Sequence, residues 1–320
     1  MKILFDFDLK EEYIGKLKNL APEADFVVSQ NEAETKEEII DSDVLFDFGR
    51  VEKEDIKKAK NLKWIQTWTA GVDRLMKSDF KNVLREKNII LTNMSGVHSN
   101  VIAEHSLGFM INFSRRFCDF HEQKRNKKWD RLKVDNLENK KLAVVGLGSI
   151  GREITRKAQV FDMEVMGVNR KGEGEFEYVD YLFSQNELKT VLEKADYVVV
   201  ILPLTSETES MIGKDEFESM KDSAYFINVA RGKIVDESAL INALKEGKIA
   251  GAGLDVFVEE PLPEDSPLYE LDNVLITPHL AGSFPEYNKK AVKIAEKNLN
   301  KFIDQNIDEM INKIDYNLGF

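Results

Sequence analysis

The chain has 320 residues, about two domains at roughly 150 each, so a peptide or a small disulfide-stapled scaffold is excluded. Its 45 basic and 57 acidic residues give a formal net charge of −12, and 42% apolar with 32% charged residues is an ordinary globular balance, not that of a disordered chain. Phosphate backbones and anionic bilayers repel such a chain on average, so nucleic acid and membrane are not expected partners, and only local patches are left to bind small anions.

The first segment, MKILFDFDLKEE, places Asp6 and Asp8 among its apolar residues and reads as a strand, not a secretory signal. Further short apolar runs at 26–28, 44–48, 64–67 and 89–92 alternate with amphipathic segments, the pattern of parallel β/α units. A long buried helix is expected from Ser99, with that hydroxyl as N-cap, through SNVIAEHSLGFMINFSRRFCDFHEQ. Its large apolar residues, Met110, Ile111, Phe113, Phe117 and Phe120, exceed one face, so a homodimer is expected to cover part of it. Cys118, the single cysteine, can form neither an intrachain disulfide nor a cysteine metal cluster; a reducing cytoplasm and no metal are expected. The basic stretch Gln123 to Lys128 reads as a solvated helix end.

A second β/α series follows at 141–145, 165–168, 197–201, 225–228, 253–256 and 274–277, six strands matching a doubly wound nucleotide-binding sheet. After Ser283 and Pro285 a helix carries an apolar stripe of Ala291, Val292, Ala295, Leu299, Phe302 and Ile303. Alone it has nothing to pack on, so it is expected to dock on the N-terminal part. The expected architecture is therefore α/β, with two Rossmann-like parallel-sheet domains. Residues 1–97 plus 285–320 form a flavodoxin-like substrate domain, residues 98–284 an inserted NAD(P)-binding domain, and the two crossings resemble a hinge around a cleft. No run approaches the roughly 18 apolar residues that span a bilayer.

Chemistry is concentrated in a few places. LAVVGLGSIGREI sets Gly146, Gly148 and Gly151 in GxGxxG spacing between a strand and a helix: the first allows the tight turn, the second backbone approach to a pyrophosphate, the third close helix packing. The next strand ends where a ribose-binding acid usually stands, and this chain has Asn169, Arg170 and Lys171 there. Without the carboxylate, and with two cations adjacent, NADP(H) is favoured; the alternative is NAD(H), with Arg170 stacked on adenine. Arg231, Asp255, Glu260 and His279 each follow a strand, where an open parallel sheet gathers its ligand site. Arg231 can hold a 2-oxo acid's carboxylate bidentately. His279 suits proton donation near neutral pH, with Glu260 orienting its ring and favouring imidazolium. Asp255 can accept from the nicotinamide amide, and the cofactor carries the hydride.

With VILPLTSET, INVARGKIVDESAL, AGLDVFVEEPLPEDSPL and NVLITPHLAG in this order after the glycine loop, the chain resembles the D-isomer-specific 2-hydroxyacid dehydrogenase family over nearly its whole length. The resemblance implies Arg231, Glu260 and His279 as the catalytic trio. It also implies cofactor contacts at Ser149, Ile150, Leu202, Pro203, Thr208, Val229, Ala230, Ala281 and Gly282. TWTAGVDRL resembles the family's substrate loop, with amides around Ala70, Gly71 and Val72 holding the carboxylate, and NMSGVHSNVIAEH places Gly96 and Val97 near the substrate. His98 and His105 in that segment read as packing residues, His121 as surface, and Trp68 as either core or pocket lining.

The activity implied is reduction of a small 2-oxo acid of the glyoxylate or hydroxypyruvate class to the D-hydroxy acid. Alternatives are a nucleotide-sensing protein of co-repressor type and a 3-phosphoglycerate dehydrogenase; with the chain ending at Phe320, no C-terminal regulatory domain is expected. The carboxylate at Glu260 argues against the formate dehydrogenase branch, which carries Gln there.

Overall fold

The computed structural model describes residues 1–319; Phe320 lies outside the described residues. The chain divides into two compact units, Met1–Val97 with Phe284–Phe320, and His98–Ser283.

The first unit carries five parallel strands: β1 (Lys2–Phe5), β2 (Asp25–Val28), β3 (Val44–Asp47), β4 (Trp64–Thr67) and β5 (Ile90–Thr92), in the order β2-β1-β3-β4-β5. Because side chains alternate across a strand, Ile3, Phe5, Phe46 and Trp64 enter one core with Leu17, Val292 and Leu299, while Leu4, Leu45, Ile65 and Leu91 enter a second with Ile56 and Leu84. The first of these cores is closed by the helices Glu11–Leu20 and Tyr287–Ile303, which pack on each other. Polar bonds tie the chain's last segments to this sheet: buried Gln66 accepts from Thr92 Oγ1 and from Asn298 Nδ2 at 2.8 and 2.9 Å.

Trp68 is core. It is 2% exposed, its ring lies on Phe7 and Phe46, and its Nε1 donates to Asn288. Buried Asp6 accepts the amides of Phe48, Gly49 and Arg50, and Asp47 accepts Arg74 Nη2 at 2.7 Å. Burial pushes Asp47 up to about 7, the pull of Arg74 notwithstanding, and the neighbouring Asp6 carboxylate pushes it the same way.

The second unit carries seven parallel strands, one more than the expected six: β6 (Lys141–Val145), β7 (Glu164–Asn169), β8 (Tyr181–Ser184), β9 (Tyr197–Val200), β10 (Tyr225–Asn228), β11 (Gly251–Leu254) and β12 (Val274–Ile276). Their order is β12-β11-β10-β9-β6-β7-β8, a doubly wound sheet buried on both faces. β8 is an edge strand of four residues with exposed Tyr181, too short and too polar around it to stand out in the sequence.

The expected single helix after residue 98 is two, Ser99–Arg115 and Phe117–Arg125. Arg116 between them adopts φ 57°, and Asn112 caps the break, its Oδ1 accepting Cys118 N at 3.1 Å and its Nδ2 donating to Cys118 Sγ. Ser99 is not the N-cap either. It lies inside the first turn, His98 takes the cap position, and Ser99 Oγ is buried with no hydrogen-bond partner.

Candidate active site

All strands of the second sheet run parallel, so the loops after their C-terminal ends gather on one edge. The strand order reverses between β6 and β9, which opens a crevice for a ligand there. Gly146 follows β6, Leu202 and Pro203 follow β9, Val229 to Arg231 follow β10, Asp255 follows β11, His279 follows β12 and Asn169 ends β7. The sheet thus places the glycine loop at the crevice, the Arg231, Asp255 and His279 loops to one side, and the Asn169 loop to the other.

The three glycines have different physical reasons. Gly146 has φ 112°, and a Cβ there would stand 2.2 Å from the Ile201 carbonyl oxygen. A Cβ on Gly151 would stand 1.9 Å from the Gly146 carbonyl oxygen, so only glycine lets helix Ser149–Gln159 pack this closely on the turn. Gly148, the helix N-cap, has ordinary φ −71° and no atom within 4 Å of a Cβ. Neither clash nor backbone conformation requires glycine at Gly148; a Cβ there would stand in open space at the N-terminus of helix Ser149–Gln159, the end of a helix that favours an anion. This chain's residues therefore fit a dinucleotide's pyrophosphate.

The Asn169 side chain organises the loop that follows it. Its Oδ1 accepts from the amides of Lys171 and Gly172 at 3.0 and 2.7 Å, and its Nδ2 donates to Glu173 O at 2.8 Å. Arg170 is half-exposed and lies 3.3 Å from Glu207. The Thr208 hydroxyl is used within its own loop, donating to Pro203 O at 2.6 Å and accepting from Thr205 N.

On the other side His279 Nδ1 meets Glu260 Oε2 at 2.6 Å, while Glu260 Oε1 accepts Phe257 N at 2.9 Å. A carboxylate can only accept, so His279 carries its proton on Nδ1 toward Glu260, and Nε2 is the ring atom left for exchange with a substrate. The ring is half-exposed, and the residue sits at φ 50°, the left-handed region. Asp255 is buried at 2% exposure; its Oδ1 accepts Thr277 Oγ1 and Leu280 N at 2.6 and 3.0 Å, and its Oδ2 accepts Ala281 N at 3.0 Å. Its carboxylate thus holds the two amides after His279 and the Thr277 hydroxyl before it, and the His279 amide donates to Asp255 O at 2.8 Å. Arg231 Nη1 donates to Ala230 O, and the Arg231 carbonyl accepts Asn228 Nδ2. His98 Nδ1 lies 2.9 Å from Gly282 O, and burial holds that ring below the usual histidine range. His121 is exposed.

In the first unit the turn after β4 directs its carbonyls inward. Thr69 O accepts Met94 N and Thr67 Oγ1, Ala70 O accepts Asn93 Nδ2 at 2.7 Å, and Gly71 O accepts Thr69 Oγ1 at 2.8 Å. The amides of Ala70, Gly71 and Val72 have no acceptor among the described residues, an arrangement suited to a carboxylate. Gly96, at φ 92°, and Val97 end this unit's first segment.

Residues 107–281 match the profile of the D-isomer specific 2-hydroxyacid dehydrogenase, NAD binding domain. The chain belongs to this family. A glyoxylate reductase of Thermofilum pendens is 35% identical over 256 residues, 78% of this chain and 74% of that protein. Among solved structures, a D-isomer specific 2-hydroxyacid dehydrogenase family protein from Aeromonas salmonicida superposes with a TM-score of 0.87 at 30% identity, covering 98% of this chain and 99% of that one. A D-isomer specific 2-hydroxyacid dehydrogenase from Xanthobacter autotrophicus Py2, solved with NADPH and MES, gives 0.85 at 28% identity, covering 100% and 99%. The chain is accordingly an NAD(P)-dependent oxidoreductase acting on the CH–OH group of 2-hydroxy acids, and both sheets have the doubly wound parallel form expected of it.

Two residues of this dehydrogenase escaped attention in the sequence. A Cβ on Gly232 would stand 1.9 Å from the Phe257 carbonyl carbon, so glycine after Arg231 lets the Arg231 loop lie against the segment leading to Glu260. The signal was the glycine of VARGK, directly after Arg231. Thr277, in TPH, looked like a strand end, yet its hydroxyl joins Asp255 to His105.

Proposed function

We propose that this dehydrogenase reduces small 2-oxo acids of the glyoxylate or hydroxypyruvate class to the D-hydroxy acid, with NADPH as the favoured cofactor and NADH as the alternative. The observation that carries the catalytic assignment is the 2.6 Å contact of His279 Nδ1 with Glu260, which leaves Nε2 as the ring's proton-exchanging atom. Bound nicotinamide supplies the hydride. As the substrate carbonyl becomes an alkoxide, His279 donates the proton from Nε2, Glu260 holds the ring in one tautomer and balances the imidazolium charge, and Arg231 binds the substrate carboxylate.

The turn amides of Ala70, Gly71 and Val72, with Gly96 and Val97, take the substrate-binding role that the family resemblance implies. Gly146, Gly148, Ser149, Ile150 and Gly151 hold the pyrophosphate. Leu202, Pro203, Thr208, Val229, Ala230, Asp255, Ala281 and Gly282 line the remaining cofactor path.

The preference for NADPH rests on Asn169, which puts an amide where a carboxylate would repel a 2′-phosphate, and on Arg170 and Lys171 beside it; the NADPH bound to the Xanthobacter relative accords with this. Exposed Phe117, in helix Phe117–Arg125, supports a homodimer, the single cysteine Cys118 a cytoplasmic setting, and the acidic composition the lack of nucleic-acid or membrane partners.

The test is a steady-state panel of glyoxylate, hydroxypyruvate, pyruvate, phenylpyruvate and 3-phosphohydroxypyruvate with each cofactor. His279→Ala is run alongside and is expected to lose about 10²–10⁴-fold in kcat with cofactor binding intact. Full activity in that variant overturns the acid assignment, and a clear preference for the phosphorylated acid overturns the substrate class.

A further inference from the structure

His105 lies on helix Ser99–Arg115, far from the residues assigned to chemistry in sequence, and its ring packs edge-on against Phe109 with centroids 4.8 Å apart. Packing alone does not account for its other edge. His105 Nε2 lies 2.9 Å from Thr277 Oγ1, and Thr277 Oγ1 lies 2.6 Å from Asp255 Oδ1. Asp255 has only acceptors on its carboxylate, so the one proton of the Thr277 hydroxyl points to Asp255, and the hydroxyl oxygen must accept from His105 Nε2–H. The direction of both bonds is thereby fixed with Nε2 as the donor, and burial holds the His105 ring below the usual histidine range. The bond to the carboxylate is of the short, charge-assisted kind. Beyond it, Asp255 binds the amides of Leu280 and Ala281 and so fixes the turn in which His279 is held at φ 50°, in the left-handed region.

We infer that His105 and Thr277 are positioning residues for the reduction, acting through Asp255 to hold the His279 turn so that Nδ1 stays on Glu260 and Nε2 faces the substrate. This rests on His279 as the proton donor. Neither residue touches the reacting atoms; each acts by limiting where Asp255, and with it the turn, can go.

The test compares Thr277→Val, which removes the hydroxyl at nearly constant shape, with Thr277→Ser, which keeps it, and His105→Phe with His105→Gln, whose amide nitrogen replaces Nε2. Thr277→Val and His105→Phe are each expected to lower kcat about tenfold with the cofactor Kd within twofold of wild type. Thr277→Ser and His105→Gln recover most of the rate, and the double variant His105→Phe/Thr277→Val falls no further than the worse single one. The proton between His279 and Glu260, read as a downfield ¹H NMR resonance, shifts or broadens in the two damaging variants. Unchanged kcat in Thr277→Val, additive losses in the double variant, or a lowered kcat with an unmoved resonance would each overturn the inference. If His105→Phe does not fold, the Thr277 pair decides alone. His279→Ala separates the two levels: activity surviving there overturns the acid assignment, whereas activity lost there but kept in Thr277→Val overturns only the role of His105 and Thr277.

Discussion

Replacing Gly148 and Gly151 by alanine, one at a time, should break this enzyme in two different ways. Gly148 sits at φ −71°, ψ −166°, open to any residue, with nothing within 4 Å of an added methyl. The fold therefore loses only the difference between glycine and alanine as N-cap, at most about 1 kcal/mol. For a unit of 186 residues (98 to 283) that is a fall in Tm of about 2–4 °C. The methyl, however, enters open space at the N-terminus of helix Ser149–Gln159, where the proposed pyrophosphate binds. Loss of one hydrogen bond to a charged phosphate, about 1.5–3 kcal/mol, weakens the cofactor roughly 10- to 100-fold.

Gly151→Ala puts its methyl 1.9 Å from the Gly146 carbonyl oxygen, so helix and turn must separate by more than about 1 Å to reach ordinary contact. Overpacking of this kind costs about 1–3 kcal/mol, roughly 2–12 °C here. Calorimetric titration of NADPH and differential scanning calorimetry read the two quantities on the same samples. Gly148→Ala binding cofactor within twofold of wild type would refute the cradle, and an unchanged Tm in Gly151→Ala would refute the packing argument.

Three further outcomes are expected. Asn169→Asp keeps the acceptor for the Lys171 and Gly172 amides but places a negative charge beside a 2′-phosphate, so the ratio of kcat/KM for NADPH over NADH should fall about tenfold or more, about 1.4 kcal/mol; an unchanged ratio refutes the reading of that loop. In Glu260→Gln a single amide oxygen faces both Phe257 N–H and His279 Nδ1–H, so kcat should drop about 10- to 100-fold with cofactor affinity unchanged, and a wild-type kcat would make Glu260 dispensable. Asp47, pushed up to about 7 by burial, keeps its proton in the folded state at a pH where the unfolded chain has released it. Its contribution to stability is greatest below about pH 4, declines as pH rises to about 7 and is flat above; Asp47→Asn should lack that slope in urea titrations at pH 5 and 7.5, and parallel profiles refute it.

Much of this was readable from the chain because parallel strands buried on both faces are nearly uniform apolar runs, and Leu142 to Val145 and Val198 to Val200 announce themselves. Arg231, Asp255, Glu260 and His279 stood out for the opposite reason, as polar residues directly after such runs. What local pattern could not supply depended on contacts distant in sequence or on single backbone angles. The helix break at Arg116 needs a left-handed residue and a cap from Asn112, neither of which interrupts the apolar periodicity. Trp68 as core depends on Asn288, 220 positions away. The part played by Gly232 is visible only as the distance to Phe257, and His105 looked like packing because its partners, Thr277 and Asp255, arrive from two other strand ends.

The first unit is made from both ends of the chain, and this has a consequence for biosynthesis. When residue 97 leaves the ribosome, the partner of helix Glu11–Leu20 and one of the two donors to Gln66 do not yet exist; Tyr287–Ile303 and Asn298 supply them 190 residues later or more. At about 5–20 residues per second that interval lasts on the order of 10–40 s, during which one apolar face of the five-stranded sheet is covered only in part, by helix Glu11–Leu20, while the second unit, which ends at Ser283, is still being made. A nascent chain stalled shortly before residue 290 is thus the form of this enzyme most exposed to chaperones and to aggregation, and slowing translation there would lengthen that exposure without touching any residue of the active site.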